Sequence, residues 1–202
     1  MQLTVENLNF NYINDLYTQS QLLSNINFKV ISSELLHICG INGSGKTTLL
    51  KLLAGLITPN SGKIHYQNQD IHMQQTVHHC CYIGHKTGIH QILSGYEYYK
   101  FTYNLTKDNL KTLLCDSALL DIAHAPIAKL SFGQRHRMAL FRLILTQAKV
   151  WLLDEPFVGL DQNSSDWLNL KLKQHLSIGG IVILTSHHAL PTILQPYQVY
   201  SL

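Results

Sequence analysis

The sequence predicts an α/β fold with a mixed, largely parallel sheet core, an N-terminal antiparallel β part and a small helical lobe. Two apolar runs, VWLLD at 150–154 and IVILTS at 181–186, are separated by a helical pattern near 163–176. Continuous apolar strands that alternate with helices are typical of a parallel sheet covered on both faces. A third apolar strand at 35–39 leads through a glycine-rich loop into another helical pattern at 47–56.

The N-terminal part and the lobe have different patterns. Short alternating runs in residues 1–30 predict antiparallel strands with a mobile link near Asn14–Gln21. After residue 90, apolar residues recur at helical spacing. We therefore predict one domain over residues 1–202, with a RecA-like core at about 1–84 and 136–202 and a helical lobe at about 85–135.

Composition narrows the class of protein. The chain has 202 residues, 46% of them hydrophobic and 13% charged, which favours a folded core over disorder. A net charge of +3 gives no reason to expect a nucleic-acid partner. We expect no secretion signal, because the N-terminus lacks an apolar segment, and no membrane span, because no apolar run approaches about 20 residues.

Cysteine and histidine residues do not form a metal-binding pattern. The four cysteines include no C-x-x-C pair, so we expect reduced thiols rather than a zinc site. The VHHCC run lies on a predicted strand, where consecutive side chains point to opposite faces. We therefore expect ordinary strand packing there, and not a metal or haem site.

A glycine-rich loop carries the clearest chemical signal. The segment from 40 to 47, GINGSGKT, matches G-x-x-x-x-G-K-[ST] between a predicted strand and a predicted helix. Backbone N–H groups of such a loop surround nucleotide phosphates, the lysine reaches the outer phosphates, and the threonine hydroxyl ligates Mg²⁺. The predicted phosphate-binding residues are Gly40, Ile41, Asn42, Gly43, Ser44, Gly45, Lys46, Thr47 and Thr48.

Two carboxylates end the strand at 150–154. Asp154 is placed to hold Mg²⁺, directly or through water, together with Thr47. Glu155 is placed to polarise an attacking water, so we predict that Glu155 and Lys46 act in catalysis. These two motifs indicate a nucleotide hydrolase.

The stretch LSFGQ at 130–134 resembles the signature of the ATP-binding cassette (ABC) ATPases, and a resemblance to this family extends from Leu3 to about Leu190. The resemblance implies an ATPase that binds ATP and Mg²⁺. It also implies that Ser131, Gly133 and Gln134 contact the ATP held by a second copy, so that the chain forms a homodimer on ATP binding. Taken alone, Ser131 could equally be a helix N-cap.

Other elements of the family are matched in part. By resemblance, Asp161 lies in a loop along the dimer seam, where Val158 stands in place of the usual Ser or Thr. His187 matches the histidine that would contact the γ-phosphate and position the water of Glu155, with His188 as the alternative. Tyr12 is the candidate for stacking on adenine, and its rivals are Phe10 and Tyr17.

Three segments, YIGHKTGI, DEPFVGLD and GGIVILTSHH, resemble the ATP-binding subunit of the haem-exporter complex of cytochrome c maturation. His85 stands where most of the family has Gln, so it is a candidate for contacting the nucleotide-bound metal or its water, or else a packing residue. The resemblance implies a peripheral protein on the cytoplasmic face of the inner membrane, docked on polytopic membrane subunits through its helical lobe. Alternatives are the subunit of another small ABC transporter or a soluble, non-transport ABC ATPase; a P-loop kinase is disfavoured by LSFGQ and Glu155.

Overall fold

The structure is a computed structural model that describes residues 1–13, 19–71, 80–85, 88–187 and 189–202. The chain forms two compact units and passes between them more than once. Unit 1 comprises Met1–Tyr82, Ala148–Pro156 and Leu172–Leu202, and unit 2 comprises Ile83–Gln147 and Phe157–Lys171. Residues 136–147 and 157–171, which the sequence prediction places with the core, belong to unit 2 in this division.

Unit 1 contains two sheets. The first is antiparallel in the order β2-β1-β4-β5, and its β1–β2 and β1–β4 pairs are interrupted by bulges. The second has the order β6-β7-β8-β3-β9, with parallel pairing of β7 with β8, β8 with β3, and β3 with β9. Its strands and those of the first sheet are β1 (Gln2–Ile13), β2 (Gln19–Ile31), β3 (Leu35–Cys39), β4 (Ser61–Tyr66), β5 (Gln69–Asp70), β6 (Cys80–Ile83), β7 (Val150–Leu153), β8 (Ile181–Thr185) and β9 (Gln198–Ser201).

The predicted combination of an antiparallel N-terminal part with a parallel sheet is confirmed. Strands β7 and β8 are buried along their whole length, which explains their continuous apolar sequences. Helix α1 (Lys46–Leu53) follows β3 and buries four leucines in the same core. Because β7, β8 and β3 are parallel neighbours, their carboxyl ends lie at one edge of the sheet, where ligands of open α/β sheets bind.

Unit 2 is helical, as the pattern in its sequence predicts. Its helices are α2 (Gly95–Thr102), α3 (Lys107–Asp116), α4 (Leu120–Ala123), α5 (Phe132–Leu140), α6 (Arg142–Leu145) and the first part of α7 (Gln162–Ser177). Tyr99 is fully buried at its centre, donates a hydrogen bond to the carbonyl of Met138 and packs edge-on against Phe141, with ring centroids 4.9 Å apart. This contact fixes α2 against α5.

Some predictions fall outside the described residues. The mobile link predicted near Asn14–Gln21 includes residues 14–18, and the VHHCC run includes His78 and His79. In the described ranges, none of the helices combines the length and hydropathy that crossing a bilayer requires.

Candidate functional site

The glycine-rich loop connects β3 to α1 in a conformation that leaves backbone donors open. Gly43 and Gly45 have left-handed φ values of +84° and +101°, which non-glycine residues rarely adopt. Gly45 caps α1 without a side-chain hydrogen bond, and the first turn of the helix has no acidic residue. The first N–H groups of α1 are therefore free of side-chain capping, and the positive end of the helix dipole is not neutralised locally.

Lys46 lies over this loop. Its side chain is buried, and its Nζ donates to the carbonyl oxygens of Gly40 at 2.7 Å and Ile41 at 3.1 Å. An ammonium group has three N–H donors. These two bonds therefore fix the charge above the loop and leave one donor for an anion.

Thr47, Asp154 and Thr185 form a continuous hydrogen-bonded chain across three segments. The Thr47 hydroxyl donates to Asp154 Oδ2 at 2.7 Å, and the Thr185 hydroxyl donates to Asp154 Oδ1 at 2.8 Å. Asp154 and Thr185 are both buried. Each oxygen of this carboxylate is thus held by a hydroxyl, which satisfies a buried charge that would otherwise be costly.

Thr185 is a residue that the sequence analysis missed. Besides holding Asp154, its hydroxyl oxygen accepts from the backbone N–H of Glu155 at 2.9 Å. The available signal was the position of a hydroxyl residue at the end of the otherwise aliphatic run IVILT. A polar group in a fully buried strand needs a partner, so its position predicted an internal hydrogen bond.

Glu155 faces His187. Glu155 Oε1 and His187 Nε2 are 3.3 Å apart, and Oε1 is a buried oxygen without a hydrogen-bond partner among the described residues. Glu155 also has a left-handed backbone, with φ of +52°. The alternative His188 lies outside the described residues. An unbonded carboxylate oxygen beside an imidazole is suited to accept a proton from a water.

The glycine-rich loop, the two carboxylates and His187 share an open cavity of about 300 Å³. It is lined by Leu22, Asn42, Gly43, Gly45, Lys46, Thr47, Thr48, Asp154, Glu155 and His187. Nearby, burial raises the pKa of Tyr82 to about 12, and the Asp154 carboxylate adds to this effect. The Tyr82 phenol therefore stays protonated beside the carboxylate.

Of the aromatic candidates for adenine stacking, Tyr12 is the one with an exposed ring. Its side chain is 44% exposed, its hydroxyl lies 3.2 Å from Thr48 Oγ1, and its ring packs edge-on against Phe10. Phe10 is part of the core, and Tyr17 lies outside the described residues. Tyr12 alone of the described pair can offer a ring face near the start of α1.

The signature segment lies in unit 2 and forms a helix cap. Ser131 Oγ accepts from Gln134 N at 3.2 Å, and Gln134 Oε1 accepts from Ser131 N at 2.9 Å, which together make a capping box at the start of α5. A Cβ on Gly133 would collide with the carbonyl oxygen of Gly159. The N-cap alternative for Ser131 is therefore what the structure shows within one chain, and Gly133 allows two backbones to approach.

Asp161 likewise caps a helix. Its Oδ1 accepts from Ser164 N at 2.8 Å in the first turn of α7. The side chain of Ser164, and then its backbone N–H, lower the pKa of the Asp161 carboxyl. Val158, in the same loop, is exposed. The polar contact that a Ser or Thr would offer there is replaced by an apolar surface.

His85 belongs to unit 2, whereas its predicted fellow metal ligands, Thr47 and Asp154, belong to unit 1. The His85 side chain is exposed and its ring lies 5.7 Å from that of Phe132, within the signature segment. In the part of the chain that the structure describes, no group of three or more His, Cys, Asp or Glu side chains is arranged to hold a metal ion by itself.

The fold and these residues define an α/β protein of the P-loop class. Residues 23–158 match the family model described as ABC transporter. The cytochrome c biogenesis ATP-binding export protein CcmA of Escherichia coli (strain K12) is 41% identical over 173 residues, which cover 84% of this chain and 83% of that protein. Its counterpart in Legionella pneumophila (strain Lens) is 38% identical over 192 residues, which cover 92% of this chain and 95% of that protein. The chain belongs to the ABC transporter family.

Solved structures agree on the fold. An ABC transporter ATP-binding protein from Pyrococcus furiosus superposes with a TM-score of 0.80 at 23% identity, covering 100% of this chain and 97% of that chain. A dimeric ATP-binding cassette in a post-hydrolysis state with ADP and Pi superposes with a TM-score of 0.81 at 18% identity, covering 92% of this chain and 88% of that chain. The predicted ABC ATPase fold and the family resemblance are confirmed.

Proposed function

We propose that this chain is the ATP-hydrolysing subunit of an ABC transporter complex that serves cytochrome c biogenesis, most specifically its haem-export or haem-handling step. The observation that carries the proposal is the arrangement of Glu155 beside His187 at the sheet edge that also holds the phosphate loop. The relatives that are about 40% identical and named for ATP binding and cytochrome c biogenesis support the finer assignment.

The residues fit a nucleotide and a metal ion. Open N–H groups at the start of α1 and the fixed Lys46 ammonium suit the phosphates of ATP. Thr47 and Asp154 present a hydroxyl and a carboxylate 2.7 Å apart, and oxygen ligands of this kind suit Mg²⁺. Bound Mg²⁺ would supply charge neutralisation at the phosphates.

The side chains have separate roles in hydrolysis. Glu155 accepts a proton from the attacking water through its unbonded Oε1, and His187 orients that water and contacts the outer phosphate. Lys46 holds the outer phosphates. Thr185 fixes the Asp154 carboxylate and the backbone of Glu155, so these two groups are in place before substrate binds.

The complete site needs a second copy of the chain. We propose that Ser131, Gly133 and Gln134 face the ATP of the partner copy and that Asp161 lies along the seam between the copies. The start of α5 supports this role, because a helix N-terminus with small residues can offer N–H donors to a phosphate. The capping box keeps this turn in shape before the partner arrives.

The remaining partners are polytopic membrane subunits, which would hold this chain peripherally at the cytoplasmic face of the inner membrane. Exposed apolar side chains in unit 2, including Ile92 and Phe101 at 78% and 75% exposure, support a protein-binding surface there. We expect no nucleic-acid partner, given the net charge of +3.

His85 is proposed to act at the metal or its water. A neutral imidazole can accept with one nitrogen and donate with the other, as the Gln that it replaces can. His85→Gln should then keep hydrolysis, whereas His85→Ala should lose coupling to the membrane partner. ATPase rates of wild type and both variants in the assembled complex test this: equal rates in all three would leave His85 as a packing residue on Phe132.

The experiment for the function as a whole has two readouts. The full chain should hydrolyse ATP with Mg²⁺ slowly, and Lys46→Ala should abolish this turnover, with Lys51→Ala on the same helix as a surface control. Crosslinking in membranes should recover a polytopic membrane protein bound through unit 2. Normal turnover by Lys46→Ala would contradict the site, and a stable, highly active monomer without membrane partners would contradict the transporter assignment.

A further inference from the structure

We propose that His37, a buried residue of β3, is a positioning residue for His187; this inference rests on the ATPase function proposed above. His37 is the polar residue in the strand sequence LLHIC, whose first four positions are all buried. It is 5% exposed. Burying an imidazole in a sheet costs free energy unless its N–H group donates to an acceptor. The hydrogen-bond partner of His37 therefore indicates its role.

The acceptor is the backbone carbonyl of Ser186, 3.2 Å from His37 Nε2. A carbonyl oxygen only accepts, so Nε2 carries the proton and donates. The ring is also held from the side by Tyr197, whose centroid lies 6.0 Å away with the planes at 73°. The donor therefore points in one direction.

Ser186 directly follows the last residue of β8. Strand β8 ends at Thr185, and its neighbour in the sheet at His37 is Leu184. The side chain of His37 thus reaches one peptide beyond the regular ladder of β8. This bond joins β3 to the residue that directly follows β8.

This bond acts on His187 through the peptide plane. The carbonyl of Ser186 and the N–H of His187 belong to one planar peptide unit. Fixing the oxygen therefore fixes the axis from which the His187 side chain leaves the backbone. The His187 side chain is 41% exposed and its Nε2 lies 3.3 Å from Glu155 Oε1, so the direction of its backbone attachment bears on where the ring lies in the cavity.

The hydrogen bond from His37 to Ser186 also connects the chain segments that lead to the phosphate loop and to His187. His37 is three residues before Gly40, where the phosphate loop begins, and Ser186 is directly before His187. Loss of the bond should leave the loop contacts of Lys46 intact, because these are made within the loop. We therefore expect slower hydrolysis with little change in ATP affinity.

Two substitutions separate the donor from the bulk of the ring. In His37→Gln the side-chain amide nitrogen takes the place of Nε2, whereas in His37→Asn it takes the place of Nδ1 and falls short of Ser186. We expect His37→Asn to lower kcat about 10-fold with KM for ATP unchanged, and His37→Gln to retain most of the activity. His37→Leu serves in place of the Asn variant if that variant does not fold.

A double substitution tests whether the effect passes through His187. In a His187→Ala background, measured by single-turnover hydrolysis over hours, His37→Asn should add no further loss, since two residues that act as a unit are not additive. The matched control is His175→Asn. His175 is another buried histidine of unit 1, and its Nε2 lies 3.1 Å from the Lys149 carbonyl oxygen. Loss of this bond should lower Tm without changing kcat.

Each outcome is decisive. Wild-type kcat in His37→Asn, failure of His37→Gln to retain activity, or an additive loss in the His187→Ala background would each overturn the positioning role. If wild type itself does not hydrolyse ATP, the proposed function fails rather than this inference.

Discussion

The phosphate site of unit 1 and the signature segment of unit 2 use polar side chains in different ways. In unit 1, the chain from Thr47 through Asp154 to Thr185 links residues that are distant in sequence. In unit 2, Ser131 bonds to Gln134, three residues away. The first arrangement is a tertiary network and the second is a local helix cap.

This difference indicates how each region would contribute to the proposed site, which is shared between two copies of the chain. Unit 1 holds its proposed catalytic groups within a single chain, because Thr185 of β8 fixes the Asp154 carboxylate and the backbone of Glu155. Ser131 and Gln134 already bond to each other's backbone, so the contribution to a nucleotide that we propose for this segment comes through its N–H groups and the close approach at Gly133. Substitutions in the two regions should therefore fail in different ways.

The largest effect is expected at Glu155. Glu155→Gln keeps the shape of the side chain and removes the proton acceptor, so hydrolysis should fall by a factor of about 10² to 10⁴ while ATP still binds. Because the proposed site is completed by a second copy, ATP should then hold this variant as a dimer. Light scattering with and without ATP measures the oligomeric state, and a strictly monomeric ATP complex would contradict the shared site.

A smaller loss is expected at Thr185. Thr185→Val removes the hydroxyl that holds Asp154 and Glu155, leaving buried groups unsatisfied at a cost of about 1–3 kcal/mol of unfolding free energy. We expect kcat to fall about 10-fold and Thr185→Ser, which keeps the hydroxyl, to retain activity. Equal turnover in the Val and Ser variants would show that the network is not needed for catalysis.

Ser131 tests the other half of the comparison. Ser131→Ala removes a helix cap and should cost about 1 kcal/mol of unfolding free energy. Ser94→Ala is the matched control, because Ser94 and Glu97 form the same kind of capping box at the start of α2. If the signature also serves the nucleotide, only Ser131→Ala should reduce ATP hydrolysis; equal turnover in the two variants would limit Ser131 to capping.

The smallest effect concerns pH and His175. This residue stacks on Trp151 of β7 with ring centroids 3.8 Å apart, and burial lowers its pKa in the folded state. The unfolded chain then binds the proton more readily, so the contribution of His175 is complete above its unfolded pKa of about 6.5 and is lost as pH falls below it. Thermal unfolding at pH 7.5 and 5.5 should show a smaller drop in Tm for His175→Gln than for wild type.

Much of the fold was predictable from the sequence. The apolar runs at 35–39, 150–154 and 181–186 became strands at nearly the same bounds, because a strand buried on both faces has few polar positions to interrupt its apolar pattern. The G-x-x-x-x-G-K-[ST] spacing also located the loop between β3 and α1. Short stretches of sequence specify these features, so patterns over a few residues are enough to predict them.

The rest depends on contacts between distant segments. Thr185 holds Asp154 across 31 positions of sequence, and His37 reaches Ser186 across 149. Short sequence patterns do not identify such bonds, because a polar residue in an apolar strand indicates only that it has some hydrogen-bond partner. The roles of Ser131, Asp161 and His85 toward a nucleotide stay predictions for a further reason, since they concern a second copy of the chain or a bound metal.

Because Glu155 has a left-handed backbone conformation, the residue that would be most stable at this position differs from the residue that the proposed activity needs. A residue with a Cβ at φ of +52° costs about 1–2 kcal/mol, a strain that glycine would relieve and asparagine would lessen. A search for variants that only resist heat would therefore favour Gly or Asn at 155 and would discard the carboxylate that we propose for catalysis. Attempts to make this protein more robust should exclude that residue from the library and seek their gains elsewhere.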